Sequence, residues 1–124
     1  MTDRFKTYDS ALKWLYFDLP TSEKQIFGGQ KSLDVSGHLL SAVGNPQDKY
    51  PTVHVAGTSG KGSTVALAAS ILQANGRRVG TILSPHVYDF RERFMVNGQF
   101  VSKKETLKSI NQLVQVIEKL NTEN

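Results

Sequence analysis

The sequence predicts an α/β protein: a parallel β-sheet flanked by helices and built around a P-loop, begun but not completed within 124 residues. Three observations predict it. A β-branched run, Thr52 to Ala56, leads through a glycine-rich stretch, Gly57 to Gly62, into an apolar, Ala-rich run from Ser63 to Asn75. A second apolar run, Val79 to Leu83, follows Gly76. Strand, helix and strand within about 30 residues make a βαβ unit, with parallel strands and a right-handed crossover. Ser102 to Leu120 closes the chain with an amphipathic helix.

The elements are justified in order. Tyr8, Ala11, Leu12 and Leu15 recur at helical spacing, and Trp14, Tyr16 and Phe17 widen the apolar face. Asp18 to Lys31 holds Pro20 and Gly28-Gly29 and reads as a loop. Leu33, Leu39, Leu40 and Val43 predict a second helix, stopped by Gly44 ahead of Asn45-Pro46. The helix after the glycine stretch is apolar nearly all round, which predicts burial. Ser84 to Glu92 is irregular and polar; Arg93 to Val96 and Gln99 to Val101 then flank Asn97-Gly98, a type I′ hairpin signal. Ser102 and Glu105 have capping-box spacing, and Leu107, Ile110, Leu113, Val114, Ile117 and Leu120 share one face, read as core packing.

Composition narrows the function classes. Apolar residues make up 39% and charged residues 21%, a globular balance. The net charge of +4 suits a phosphate-bearing ligand, but basic residues never run beyond two in a row, which speaks against a nucleic-acid partner. With no cysteine, disulfides and thiolate-zinc sites are excluded. The longest apolar stretch, Val65 to Leu72, is too short for a membrane span, and Met1 to Lys6 lacks a signal-peptide core. The expectation is a soluble, cytoplasmic protein or portion of one.

The chemistry concentrates in Gly57-Thr58-Ser59-Gly60-Lys61-Gly62-Ser63-Thr64. A helix N-terminus has unpaired N–H groups and a partial positive charge, so it favours an anion. Glycines let the backbone approach phosphates and adopt positive φ. Lys61 can place a charge on the β- and γ-phosphates, and a hydroxyl from Ser63 or Thr64 can reach Mg²⁺. Gly57 and Gly60 are separated by two residues instead of the four of G-x-x-x-x-G-K-[ST], and Gly62 intervenes between Lys61 and Ser63. The bland alternative is a strand-to-helix turn with a solvated lysine.

The run Val53 to Thr64 resembles the shortened phosphate loop of the Mur ligase superfamily, and Gly62 resembles its folate branch, folylpolyglutamate synthase and dihydrofolate synthase. Ser84-Pro85-His86, Phe90-Arg91-Glu92-Arg93 and Asn97-Gly98 are similar to a second signature of that branch, and Ala11-Leu12-x-Trp14-Leu15 and Gly44-Asn45-Pro46 to its opening helices. The resemblance implies an ATP- and Mg²⁺-dependent carboxylate-amine ligase. It would phosphorylate the carboxylate of dihydropteroate or a reduced folate and let the amine of L-glutamate attack the acyl phosphate. It implies that Thr58 to Lys61 contact ATP, that Ser84 holds Mg²⁺, and that Gln30 to Leu33 lies at the pterin-binding loop; Ser63, from the reading of the glycine loop itself, is the second candidate hydroxyl for the ion. Ser59 stands where the family usually has Asn. The family has further metal ligands, a modified lysine and a C-terminal domain beyond residue 124. Residues 1–124 are therefore expected to be the N-terminal part of the ATP-binding domain, without full turnover alone. The alternatives are a stand-alone nucleotide-binding module, and another P-loop enzyme such as a kinase or GTPase. The short spacer, the Ser84-Pro85-His86 sequel and the lack of an N-K-x-D motif argue against the last.

Other polar residues carry paired readings. His54 reads as one satisfied polar group in a core strand, and His38 as a helix-surface residue. His86 either organises its loop or faces substrate, or is simply an exposed residue. Arg91, Glu92 and Arg93 are either a solvated cluster or, as the resemblance implies for the last two, a brace for the loop carrying Ser84. Arg77 and Arg78 read as cations at a helix C-terminus.

Overall fold

A computed structural model describes residues 3–18 and 30–122. Four helices, α1 (Tyr8–Lys13), α2 (Gln30–Ala42), α3 (Lys61–Ala74) and α4 (Lys103–Thr122), accompany three strands, β1 (Gly80–Ile82), β2 (Phe94–Val96) and β3 (Gln99–Phe100). The chain divides into two compact units, one drawn from Met1–Thr52 and Leu107–Asn124, the other from Val53–Thr106.

The first unit holds an apolar core. Thr7 caps α1 by accepting from the Ser10 N–H, and the helix runs on into a π-helical turn, Trp14–Asp18. Ala11 and Trp14 meet Ile110 and Val114 of α4, with Phe5, Leu12, Leu15, Leu107 and Ile117 packed around them. Of the expected α4 stripe, Leu107, Ile110, Val114 and Ile117 thus pack in this core. Buried Asn111 accepts from the Phe5 N–H at 2.9 Å and donates to the Phe5 carbonyl at 3.0 Å, so both polar groups of that residue are satisfied by one amide. Tyr16 and Phe17 stay exposed. α2 ends before Gly44 (φ 80°), as its stop signal predicts. Most of the loop expected over Asp18 to Lys31 lies outside the described residues, and Gln30 and Lys31 already belong to α2.

The second unit carries the α/β character. β1, β2 and β3 form one antiparallel sheet in that order, with Gly80 opposite Val96 and Met95 opposite Phe100. Asn97 (φ 50°) and Gly98 (φ 72°) make the left-handed pair that a type I′ hairpin needs. The α/β class and the incomplete sheet are as expected. Three details are corrected. Thr52 to Ala56 is not a strand, and β1 has no parallel partner among the described residues. His54 is exposed, not a core histidine. Of α3 only Ala69 is buried, while Leu67 and Ile71 are exposed. The reasons are shared. β-Branched sequence favours a strand only where a partner completes the ladder and side chains cover its faces. Val53, 73% exposed, has no such cover.

Candidate functional site

The glycine stretch opens α3 as the sequence predicts. Gly60 caps the helix in the left-handed region (φ 73°), and no side chain caps the N-terminus. The first-turn N–H groups are therefore left without a side-chain acceptor. A Cβ at Gly60 would meet nothing within 4 Å, so the backbone conformation, not crowding, calls for glycine there. Lys61 folds back: its Nζ donates to the Gly57 carbonyl at 2.7 Å and approaches the Thr58 carbonyl at 3.4 Å. Thr64 donates to the Gly60 carbonyl through both its N–H, at 2.9 Å, and its hydroxyl, at 3.0 Å. The structure thus joins Gly57, Thr58, Gly60, Lys61 and Thr64 in one hydrogen-bonded loop. Ser59, Gly62 and Ser63 are exposed on it.

Ser84 lies on a different loop, and among the described residues no hydrogen bond ties it to the glycine stretch. Topology relates the two. α3 rises about 20 Å along its axis. The chain turns at Gly76 (φ 75°) and continues as β1, which packs against α3. The four steps from Gly80 to Ser84 span about 13 Å. In such a helix-strand pair the carboxyl end of the strand and the N-terminus of the helix open on the same side, where α/β ligands bind.

The loop after β1 is heavily braced. The Ser84–Pro85 peptide is cis. Glu92 accepts from three consecutive amides, Val87 at 2.7 Å, Tyr88 at 2.9 Å and Asp89 at 2.8 Å. Those bonds, Val87 first, hold its carboxyl below the ordinary glutamate value. Asp89 accepts from the Arg91 N–H, completing a capping box with Glu92, and its carboxylate takes the Arg91 guanidinium as a fork at 2.8–3.2 Å. Arg93 donates from Nε to His86 Nδ1 at 2.8 Å, and its carbonyl accepts from the Leu83 N–H at 3.0 Å. Of the two readings of Arg91, Glu92 and Arg93, the geometry is that of a brace, and His86 organises its loop. Sequence reasoning missed Asp89, although Asp89-x-x-Glu92 has capping-box spacing. It also missed the Asn97 side chain, which accepts from the Val79 N–H at 2.8 Å and pins the hairpin to the start of β1.

The remaining expectations place simply. Gln30 to Leu33, expected at an acceptor loop, begins α2, with Leu33 exposed. His38 is exposed on α2. Ser102 and Glu105 form the predicted reciprocal cap, and the Ser102 hydroxyl and N–H lower the Glu105 pKa.

No protein-family model matches the chain. It is 38% identical over 117 residues to the dihydrofolate synthase/folylpolyglutamate synthase of Bacillus subtilis, an alignment covering 94% of this chain and 26% of that protein. The chain belongs to the folylpolyglutamate synthase/dihydrofolate synthase family. The crystal structure of the Thermotoga maritima folylpolyglutamate synthase superposes with a TM-score of 0.79 at 33% identity, covering 93% of this chain and 25% of that one. A folylpolyglutamate synthase solved with AMPPCP and folate superposes at 0.78, with 27% identity, over 94% of this chain and 27% of that one. The fold is therefore that of the Mur ligase-like synthases. The chain spans about a quarter of the length of these three proteins, and a smaller share of other relatives it matches.

Proposed function

We propose that the chain is the N-terminal ATP-binding portion of an ADP-forming ligase that joins L-glutamate to dihydropteroate or a reduced folate. The observation that carries this reading is one alignment over 117 residues, 94% of the chain, which is long enough that it must take in both the glycine loop and the Ser84 to Arg93 brace. In the reading, Gly57, Thr58, Ser59, Gly60, Lys61, Gly62, Ser63 and Thr64 hold the triphosphate. Amides of the first helical turn face the phosphates, and Lys61 exchanges the Gly57 carbonyl for the β- and γ-phosphoryl oxygens. The acceptor carboxylate oxygen attacks the γ-phosphorus and ADP leaves. The glutamate amine then attacks the acyl carbon, phosphate leaves, and the amine proton passes to solvent. Phosphorylation supplies the leaving group that a carboxylate lacks, and positioned donors meet the charge that develops.

Mg²⁺ fits this donor set in one way only. Among the described residues no three His, Cys, Asp or Glu cluster to cage an ion. The exposed Ser84 and Ser63 hydroxyls are hard oxygen ligands of the kind Mg²⁺ takes singly while phosphates and waters complete its shell. Bound there, the ion would supply positive charge to offset that of the phosphates.

Calorimetry with AMPPCP tests the nucleotide site. Lys61→Ala is expected to abolish binding, and an unchanged affinity sinks the phosphate-loop assignment. ADP release, assayed with glutamate and either dihydropteroate or tetrahydrofolate on the longest natural chain containing these residues, tests ligation. The quarter-length match favours a second reading for residues 1–124 alone, a nucleotide-binding portion without turnover; acceptor-dependent ADP release by the 124-residue chain would exclude it. Among the described residues no helix is long and apolar enough to cross a membrane. Separately, the likeness to folylpolyglutamate synthases supports proposing a cytoplasmic location.

A further inference from the structure

We propose that Arg93 is the positioning residue for Ser84, holding the serine's loop from both sides so that its hydroxyl is preset for a nucleotide-bound divalent ion. The inference rests on the nucleotide reading above and adds a residue to it. One side chain and one carbonyl of the same residue grip the chain at two points. The Arg93 carbonyl takes the N–H of Leu83, immediately before Ser84, at 3.0 Å. The Arg93 guanidinium donates to His86 Nδ1, two residues after Ser84, at 2.8 Å. The cis Ser84–Pro85 unit lies between those grips.

The guanidinium is itself held. It lies 6.0 Å from the Phe90 ring centroid, and Phe90 meets His86 edge-on at 5.9 Å and Phe94 at 5.4 Å. Glu92 takes over where Arg93 stops, fixing the amides from Val87 to Asp89. An exposed serine on a free loop would have to give up conformational freedom each time it met an ion. Here that freedom is already spent in folding. Groups that orient a metal ligand without touching the metal typically control affinity by about 10–100-fold. Arg93 acts only in that way, because a guanidinium repels a cation.

The side-chain grip can be removed without the backbone grip, since every residue at position 93 keeps its carbonyl. AMPPCP is titrated by calorimetry into the chain with and without MgCl₂. Arg93→Ala is expected to lower the apparent Mg²⁺ affinity of the complex about tenfold or more, with Mg²⁺-free AMPPCP binding unchanged. His86→Ala should cause a comparable loss, and the double variant less than the sum of the two, because both remove the shared Arg93–His86 bond beside their separate contacts with Phe90. Arg93→Lys, which keeps a donor, should recover part of it. Amide exchange in the β2–β3 hairpin reports folding. Should Arg93→Ala not fold, the Lys and His86→Ala variants carry the same comparison. An Mg²⁺ dependence unaltered in these variants overturns the proposal, as does an equal loss with and without the ion. A wild-type chain that ignores AMPPCP overturns the nucleotide reading and this proposal with it.

Discussion

The two units are held by different forces. Residues 3–18 and the later turns of α4 are organised by burial: Trp14, 6% exposed, and Val114, 1% exposed, sit in one apolar cluster. Residues 53–106 bury little beyond Ala69 and Thr106, and are organised by polar pins at Glu92, Asp89, Arg93, Asn97 and Ser102. Apolar burial is strong but tolerant of direction, at about 25 cal/mol per Å². A net hydrogen bond contributes only about 1 kcal/mol but fixes an atom to within tenths of an ångström. The difference teaches where to look for function: the stable region is the cluster, and the accurately placed region is the loops.

The largest expected effect breaks the cluster. Trp14→Ala should lower unfolding stability by about 3–5 kcal/mol, read from urea denaturation; a loss below about 1 kcal/mol would mean that the apolar cluster is not what holds the first unit. Asn111→Ala comes next. It strands the part-buried N–H and carbonyl of Phe5, at a cost of about 1–3 kcal/mol by the same measurement. Asn111→Leu, of similar volume, should not restore stability, because the backbone groups rather than the space are at stake.

The smallest effect sharpens the contrast by pH. Glu92 and Glu105 are both held below the ordinary 4.5 of a glutamate, by backbone amides and by Ser102 respectively. A depressed carboxyl pKa contributes stability above the unfolded value and loses it as pH falls through the folded one. Below pH 4.5, then, the amides of residues 87–89 and Ser102 should lose their hydrogen-bonded NMR shifts before Trp14 fluorescence changes. Glu92→Gln should remove the acid sensitivity of 87–89 while leaving that of Ser102. Simultaneous change in both regions would erase the distinction between pins and cluster.

Local chemistry was readable from residues alone. The glycine stretch opening α3, the Asn97-Gly98 turn, the Ser102–Glu105 cap and the α4 stripe are each written in a few neighbouring residues whose backbone preferences or periodicity need no distant partner. The resemblance carried by the loop and by Ser84 to Arg93 likewise survived into the family match. What depends on non-local partners did not read out. Thr52 to Ala56 has strand composition but no strand, since a ladder requires a second chain segment alongside. The apolar sequence of α3 could not say which of its residues would be covered. That Arg93 would reach His86, and Glu92 the amides of 87–89, was decided by tertiary structure, because a charged side chain finds its hydrogen-bond partner only after the backbone has turned to bring the two within 3 Å.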